Sequence, residues 1–298
     1  MRLGTALNAV RLKASWAIRD RFPDRKVVRN IQGVEMVLPW SHHLPDYTRG
    51  DSPYGKNLVA LAAGLAATGD ELTVLDIGAN VGDSALQILD AAGGRVLCVE
   101  GDPYYFEYLD LNVGTDERVT VVEALLATGE TAEALTPVRS GGTTRFEVAG
   151  ESVGVPTVSA ADLRAAHPEF ARLRLAKSDT DGYEVLLVPA IAKAWADQPP
   201  VLFFEYDRRL TRMAGNDPEP IWDELAALGY DTVAIWDNGG RALGRAPIAD
   251  LPRLSQQVDP TGPRDRRYWD VAVTHADDAA AREVLHRLVP ETMGEHAS

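Results

Sequence analysis

Short apolar runs alternate with amphipathic stretches along most of this 298-residue chain. The runs Thr73-Val74-Leu75, Arg95–Glu100, Val119–Leu126, Val201–Asp207 and the one from Leu173 that ends at Lys177 to Asp179 have the pattern of strands covered on both faces of a parallel sheet. Helical spacing follows them. Asp83–Ala92 offers Ala85, Leu86, Ile88 and Leu89 for packing, and Asp102-Pro103 opens a helix through Tyr105, Tyr108 and Leu109 to Asn112. Ser159 caps another, with Asp162 in its first turn; one begins near Gly182, and Pro220–Leu228 ends at Gly229. Five strand–helix units predict a right-handed, mostly parallel α/β sheet with helices on both faces. Tyr230–Trp236 and Arg267–Thr274 bring the expected sheet to seven strands with an antiparallel edge, and Asp277–Leu288 is a closing helix.

The flanking pattern divides the chain at about residue 56. Leu3, Leu7, Val10, Ala14 and Ile18 recur at helical spacing among basic residues, as in a helix packed on the body or on a second subunit; a membrane-surface helix is the alternative. Lys26–Leu38 alternates around Gly33 as a hairpin, and Pro39–Gly50 reads as a loop, with His42 and His43, covering a site. Residues 57–298 then form the main domain, starting with a helix from Asn57 to Ala67. Thr128–Pro137 is weakly patterned. Thr143–Val148 and Ser152–Val158 alternate and predict a hairpin insertion near 143–158 turning at Gly150.

Chemistry concentrates where the strands end. Asp76-Ile77-Gly78-Ala79-Asn80-Val81-Gly82-Asp83-Ser84 joins a strand to a helix through two glycines, which would let a ligand approach the backbone and the helix-start N–H groups. The pattern is D-x-G-x-x-x-G, not the G-x-G-x-x-G of dinucleotide-binding turns. An acid at the strand end repels a pyrophosphate and suits a cation, so S-adenosylmethionine fits better than NAD. Glu100, followed by Gly101, lies 22 residues after Gly78, near the offset of roughly 20 at which an acid meets ribose hydroxyls. The third strand contains Glu123, and the loop after it is the one expected near an adenine. Lys177, Asp179, Asp181 and Glu184 cluster within eight residues, and Glu205 and Asp207 end the fifth strand. Open α/β sheets bind ligands outside the carboxyl ends of their strands, so these acids are expected around one cleft.

Composition narrows the partners. A net charge of −14 opposes phosphate backbones and excludes nucleic acid from the expected partners. No apolar run reaches the length of a membrane span, and the basic amino terminus lacks the apolar core of a signal peptide. The single cysteine, Cys98, sits in a core strand, consistent with a reducing, cytoplasmic setting.

The stretches Val74–Ser84, Val99–Pro103 and Lys177–Glu184 resemble the FkbM family of S-adenosylmethionine-dependent methyltransferases. The last is similar to that family's K-x-D-x-E-G-x-E segment, with Asp181 in place of the usual glutamate. The resemblance covers roughly Asn57–Asp207. It implies a class I methyltransferase fold, S-adenosylmethionine as donor, and commonly O-methylation of a small hydroxylated acceptor such as a sugar or secondary metabolite. Carried over by position, Asp76, Gly78, Asn80 and Gly82 border the donor's methionine end and Glu100 holds its ribose, with Ala79, Asp83, Ser84, Gly101 and Glu123 completing the expected cofactor-binding set. Asp179 is the candidate general base; Lys177 and Asp181 are its candidate catalytic neighbours. A magnesium-assisted variant would use Asp179, Asp181 and Glu205, since clustered carboxylates suit that ion; the sequence holds no Cys/His set for zinc. A Rossmann-like oxidoreductase and a non-catalytic S-adenosylmethionine-binding protein are the other classes to separate.

Overall fold

The computed structural model describes residues 16–128, 135–140, 143–148, 154–262 and 265–293. The amino-terminal helical pattern before Trp16 and the turn at Gly150 lie outside them. β1 (Lys26–Ile31) and β2 (Val34–Pro39) form the expected antiparallel hairpin. The next three strands, β3 (Thr73–Ile77), β4 (Arg95–Glu100) and β5 (Val119–Glu123), are parallel neighbours. β6 (Leu125–Ala127), β7 (Leu135–Ser140), β8 (Thr143–Val148) and β9 (Thr157–Ser159) build an excursion from the sheet. β10 (Leu175–Ser178) and β11 (Val201–Tyr206) rejoin it in parallel, followed by β12 (Tyr230–Asp237), β13 (Ala242–Pro247) and β14 (Trp269–His275).

The main sheet has eight strands, ordered β13-β12-β14-β11-β10-β3-β4-β5. It is α/β and mostly parallel, as the sequence predicts, with one more strand than expected. β14 runs antiparallel between β11 and β12, inside the sheet, and the antiparallel edge is β13. The eighth strand was hidden because Ala242–Pro247 contains Gly244 and ends in proline, both unfavourable for an interior strand but tolerated at an edge.

The excursion differs from the sequence reading in its pairing. Thr143–Val148 is a strand, but its partner is Leu135–Ser140, with Pro137 opposite Phe146. Thr157–Ser159 pairs in parallel with β6 instead. Alternation identifies a strand's faces and is silent about its partner.

Two cores pack against the sheet, and strict alternation assigns each strand residue to one of them. Leu75, Ile77, Leu97, Val99, Ala176, Leu202 and Phe204 belong to the core completed by helices Ala160–Ala166, Glu184–Ala194 and Ile221–Ala227. Val74, Val96, Cys98, Leu175, Val201, Phe203 and Ala272 belong to the other, completed by helices Lys56–Ala66, Asp83–Ala92, Pro103–Val113 and Ala279–Leu288. Continuing that period of two places Asp76, Glu100, Lys177, Glu205 and Asp270 all on the second face, at the carboxyl-end rim. A third cluster joins the β1–β2 hairpin, through Ile31, Met36 and Leu38, to Val81, Tyr105 and Tyr108 of the main domain. No helix of the described residues is long and apolar enough to cross a membrane.

The turn after β10 depends on Gly182. Its φ is +110°, and a Cβ there would lie 2.5 Å from the Leu210 backbone carbonyl. Gly50 also has positive φ, +65°, but nothing lies within 4 Å of its would-be Cβ. Gly182→Ala should therefore destabilise the chain by about 3 kcal/mol, against about 1 kcal/mol for Gly50→Ala, where only backbone strain acts. Urea denaturation of the two variants beside wild type measures the difference.

Candidate functional site

A cavity of about 500 Å³ opens at the carboxyl ends of the parallel strands. β3 and its turn contribute Gly78, Asn80, Asp83 and Ser84; β4 contributes Glu100 and Gly101. β10 and the turn after it supply Lys177, Asp179 and Asp181, and β11 supplies Phe203 and Glu205. Because β14 runs antiparallel, its beginning reaches the same rim and adds Tyr268 and Asp270. The amino-terminal part adds His42, Leu44, Tyr47, Tyr54 and Asn57, and Ala124–Thr128 closes the side next to Glu100.

Asp76 does not line this cavity. It is fully buried beneath it, ion-paired with Lys177 at 2.9 Å and accepting a hydrogen bond from the Ser84 hydroxyl. The pairing follows from register, since Lys177 and Asp76 are direct neighbours across β10 and β3. Lys177 also donates to the Gly78 carbonyl at 3.0 Å. Burial works against the ammonium, but Asp76, Asp179 and Asp83 outweigh it and hold the Lys177 pKa above its ordinary value. A lysine so held is a fixed charge that does not release protons near neutrality.

The glycine turn is shaped by packing within the chain. A Cβ on Gly78 would stand 2.0 Å from the Asp179 carbonyl, and one on Gly82 would press on Leu109 and Val113. The N–H groups of Gly78 and Ala79 both bond the Val99 carbonyl, at 3.0 and 3.1 Å. The expected role of these glycines and amides in opening the backbone to a ligand is thus corrected: they bind the turn to β4 and its following helix. Ala79 and Gly82 lie away from the cavity, whereas Gly78, Asn80, Asp83 and Ser84 face it.

Glu100 faces the cavity with both carboxylate oxygens anchored. Oε2 accepts from the Asn80 N–H at 2.8 Å and Oε1 from the Asp102 N–H at 2.7 Å. Each oxygen retains a second lone pair for a further donor. Burial, reinforced by Asp102 and only partly offset by these N–H groups, pushes its pKa up to about 7. Asp102 is itself buried; it caps helix Pro103–Val113 and receives Arg139 and Thr144 from the β7–β8 hairpin. Glu123 is exposed and outside the cavity; Ala124 and Leu125, just after it, take the place expected for it.

The segment Lys177–Glu184 divides into structural and cavity-facing residues. Glu184 is buried and accepts from the Thr180 N–H and hydroxyl and from the Gly182 N–H, closing the turn on itself. Asp181 adopts left-handed backbone, φ +53°, and lines the cavity. Asp179 exposes its carboxylate there. Asp207 has turned away to cap helix Arg208–Met213, and Arg208 is buried against Glu219 and Asp259.

Sequence reasoning missed Asp270, Tyr268, Tyr54 and Asn57. Glu205 and Asp270 are direct register partners across β11 and β14. Burial raises Glu205 well above the carboxylate range and Asp270 to about 7, even though Asn57 donates to Asp270 at 2.7 Å. Burial also lifts Asp83 to about 6. The available signal for Asp270 was topological: a strand that enters an otherwise parallel sheet backwards begins where the others end. Acids raised on folding favour the folded chain fully below about pH 4, and that contribution is lost as pH rises through about 7. Among the described residues, no group of three or more His, Cys, Asp or Glu is arranged to hold a metal ion. Asp179, Asp181 and Glu205 reach the same cavity without forming such a set.

The Lys177–Asp76 pair has a testable consequence. Lys177→Met leaves a buried carboxylate uncompensated and should destabilise the fold by about 3–5 kcal/mol, while Lys177→Met combined with Asp76→Leu should recover most of that loss. Thermal and urea unfolding of the single and double variants give the comparison.

No protein-family model matches this chain, and no curated protein matches it. Solved structures do. A human methyltransferase 10 domain containing protein aligns over 91% of this chain and 97% of its own, at 14% identity and a TM-score of 0.45. An O-methyltransferase from Bacillus cereus, solved in complex with SAH, aligns over 74% of this chain and 80% of its own, at 16% identity and a TM-score of 0.41. A precorrin-6y C5,15-methyltransferase from Geobacter metallireducens aligns over 73% and 87%, at 14% identity and a TM-score of 0.39.

Proposed function

We propose that this chain is an S-adenosylmethionine-dependent methyltransferase that methylates a hydroxyl group of a small acceptor. The observation that carries the proposal is the placement of Glu100 in the cavity, with both oxygens fixed by backbone N–H groups and lone pairs left over. A carboxylate so held suits the two vicinal hydroxyls of a ribose by charge-assisted hydrogen bonds. The charge of the cavity fits the donor as well: Asp83, Glu100, Asp179, Asp181, Glu205 and Asp270 line it, with Lys177 the sole Lys or Arg among its described lining residues. That excess favours a sulfonium and an ammonium and disfavours a pyrophosphate. When bound, S-adenosylmethionine supplies a methyl group already activated for displacement.

The remaining work falls to the chain's own residues. An alcohol attacks well only as it loses its proton. Asp179, whose carboxylate is open to the cavity, is the group we assign to accept that proton. Lys177, tied to Asp76 and Gly78, holds β3 and β10 together beneath it and keeps positive charge near the Asp179 carboxylate. With the chain divided at about residue 56, His42 and Tyr47 on the cavity rim support a covering role for the described residues 16–56 over the 57–298 domain. The same acidic lining, with the chain's net charge of −14, supports a small metabolite or sugar as acceptor over a nucleic acid, in a cytoplasmic setting. The Lys177–Glu184 segment supports placement in the FkbM family.

Calorimetric titration with S-adenosylmethionine and, separately, NAD tests the donor assignment. Binding of the first alone is expected, and binding of NAD alone would replace the proposal with an oxidoreductase. A labelled methyl donor offered with a panel of hydroxylated acceptors separates an enzyme from a binding protein.

Glu100 must be ionised to receive hydroxyl donors, and it titrates near 7 in the free chain. Donor affinity should therefore be flat above about pH 8 and fall by up to about tenfold per pH unit below 7. Glu100→Ala should weaken binding at pH 8 at least tenfold, read by the same calorimetry. Asp179→Asn should leave donor affinity within about threefold and lower the methyl-transfer rate by about a hundredfold or more, as loss of a general base does. Single-turnover measurements at saturating donor separate those two effects.

A further inference from the structure

We propose that His42 is a positioning residue for Glu100, acting through Asn80. The inference rests on the donor site described above and adds to it a residue from outside the sheet, on the segment that covers the cavity.

Glu100 is aimed by two backbone N–H groups, and the Asn80 N–H reaches it only because Asn80 holds a left-handed backbone, φ +51°. Asparagine tolerates that region better than other residues with a Cβ, but it still needs support from its surroundings. One such support comes from 38 residues earlier in the chain: the His42 Nε2 lies 3.1 Å from the Asn80 Oδ1. The tautomer follows from the other ring nitrogen. Nδ1 accepts from the Leu44 N–H at 3.1 Å, so the proton sits on Nε2, which donates to Asn80. The ring is 8% exposed and stands edge-on to Tyr105 at 5.8 Å, which fixes its orientation.

The charged and titratable groups facing the ring are few. Arg19 donates to the His42 carbonyl at 3.3 Å, and His43 and Arg19 both oppose a positive charge on the imidazole. Burial, chiefly, lowers its pKa to about 4, so the ring stays neutral with one tautomer over the range in which Glu100 titrates. Around Glu100 itself, Asp102 opposes ionisation and Lys177 assists it. Loss of the His42 bond removes one of the contacts that hold Asn80 in the left-handed region and loosens its N–H on Glu100. The carboxylate becomes both less well aimed and harder to ionise.

His42→Phe keeps a ring in the packed position and removes both hydrogen bonds. It should weaken S-adenosylmethionine binding about tenfold at pH 7 and move the midpoint of the affinity–pH profile upward, with the melting temperature within a few degrees of wild type. His42→Gln, which offers an amide N–H toward Asn80, should restore most of the affinity. Asn80→Gly keeps the left-handed backbone without a side chain to hold, and in that background His42→Phe should have no further effect. An unchanged affinity and pH profile in His42→Phe would overturn the proposal. So would a full His42→Phe effect in the Asn80→Gly background, or equal losses in His42→Phe and His42→Gln with a large fall in melting temperature, which marks a purely structural role. A wild-type chain that does not bind S-adenosylmethionine at all would instead remove the donor assignment, and this inference with it.

Discussion

Everything at the rim of this sheet depends on one buried ion pair, Lys177 with Asp76. Period-two alternation in strands covered on both faces leaves no freedom about where a tip residue points. Asp76, Glu100, Lys177, Glu205 and Asp270 consequently share one face, each at the end of a different strand. Four of the five are acids. The Lys177–Asp76 pair neutralises the deepest of them and ties together the two central strands, from which the turns on either side of the cavity spring. Asp76 is fully buried and Lys177 is held in its charged form, so neither is the proton acceptor; together they join the strands from which the turns bearing Asn80 and Asp179 follow.

The two turns are locked to each other by backbone contacts that leave no room for a side chain. Gly78 faces the Asp179 carbonyl, and the Asp179 N–H bonds the Ile77 carbonyl at 3.1 Å. Gly182 faces the Leu210 carbonyl in the same way, and the Asn216 side chain donates to the Gly182 carbonyl at 3.1 Å. Glycine is required at these places by the proximity of neighbouring backbone, which explains why the turn has the look of a ligand-binding loop while the N–H groups of Gly78, Ala79, Asn80 and Gly82 are already occupied. The charged side chains that line the cavity are chiefly carboxylates, an arrangement that suits a cation better than an anion at a position where other folds hold phosphate.

The parallel core was legible in the sequence because buried strands and their helices leave strong periodic signals, and β4 and helix Asp83–Ala92 match to the residue. Glu100, Asp179 and Lys177 were legible as tip residues for the same reason. Asp76 was misread as a ligand contact because a strand-end acid looks the same in sequence whether it faces a cavity or a buried lysine one strand away; only register distinguishes them. The pairing of Thr143–Val148 with Leu135–Ser140 was hidden by Pro137 and by the weak patterning of a hairpin outside the core. Asp270 escaped because its strand is antiparallel, so the residue that reaches the rim comes first in its run.

Glu205 and Asp270 show most directly what the cavity is prepared to receive. Like charges directly opposite on one face of an antiparallel pair oppose folding, and a sequence selected for stability alone would place a lysine or an apolar residue at one of the two positions. Here the pair is half-buried beside Tyr54 and Tyr268, and desolvation raises both carboxyls, Asp270 to about 7 and Glu205 well above its ordinary value, so that both hold protons more readily than free acids. Protons are the substitute for a missing positive charge. An occupant that carries its own positive charge displaces them, so part of the folding cost of these acids is recovered as binding energy when the cavity fills. A neutral or anionic occupant gains nothing from that exchange. The register of Glu205 with Asp270 thus biases the cavity toward a positively charged occupant, and that bias comes from the sheet's topology as much as from any single contact.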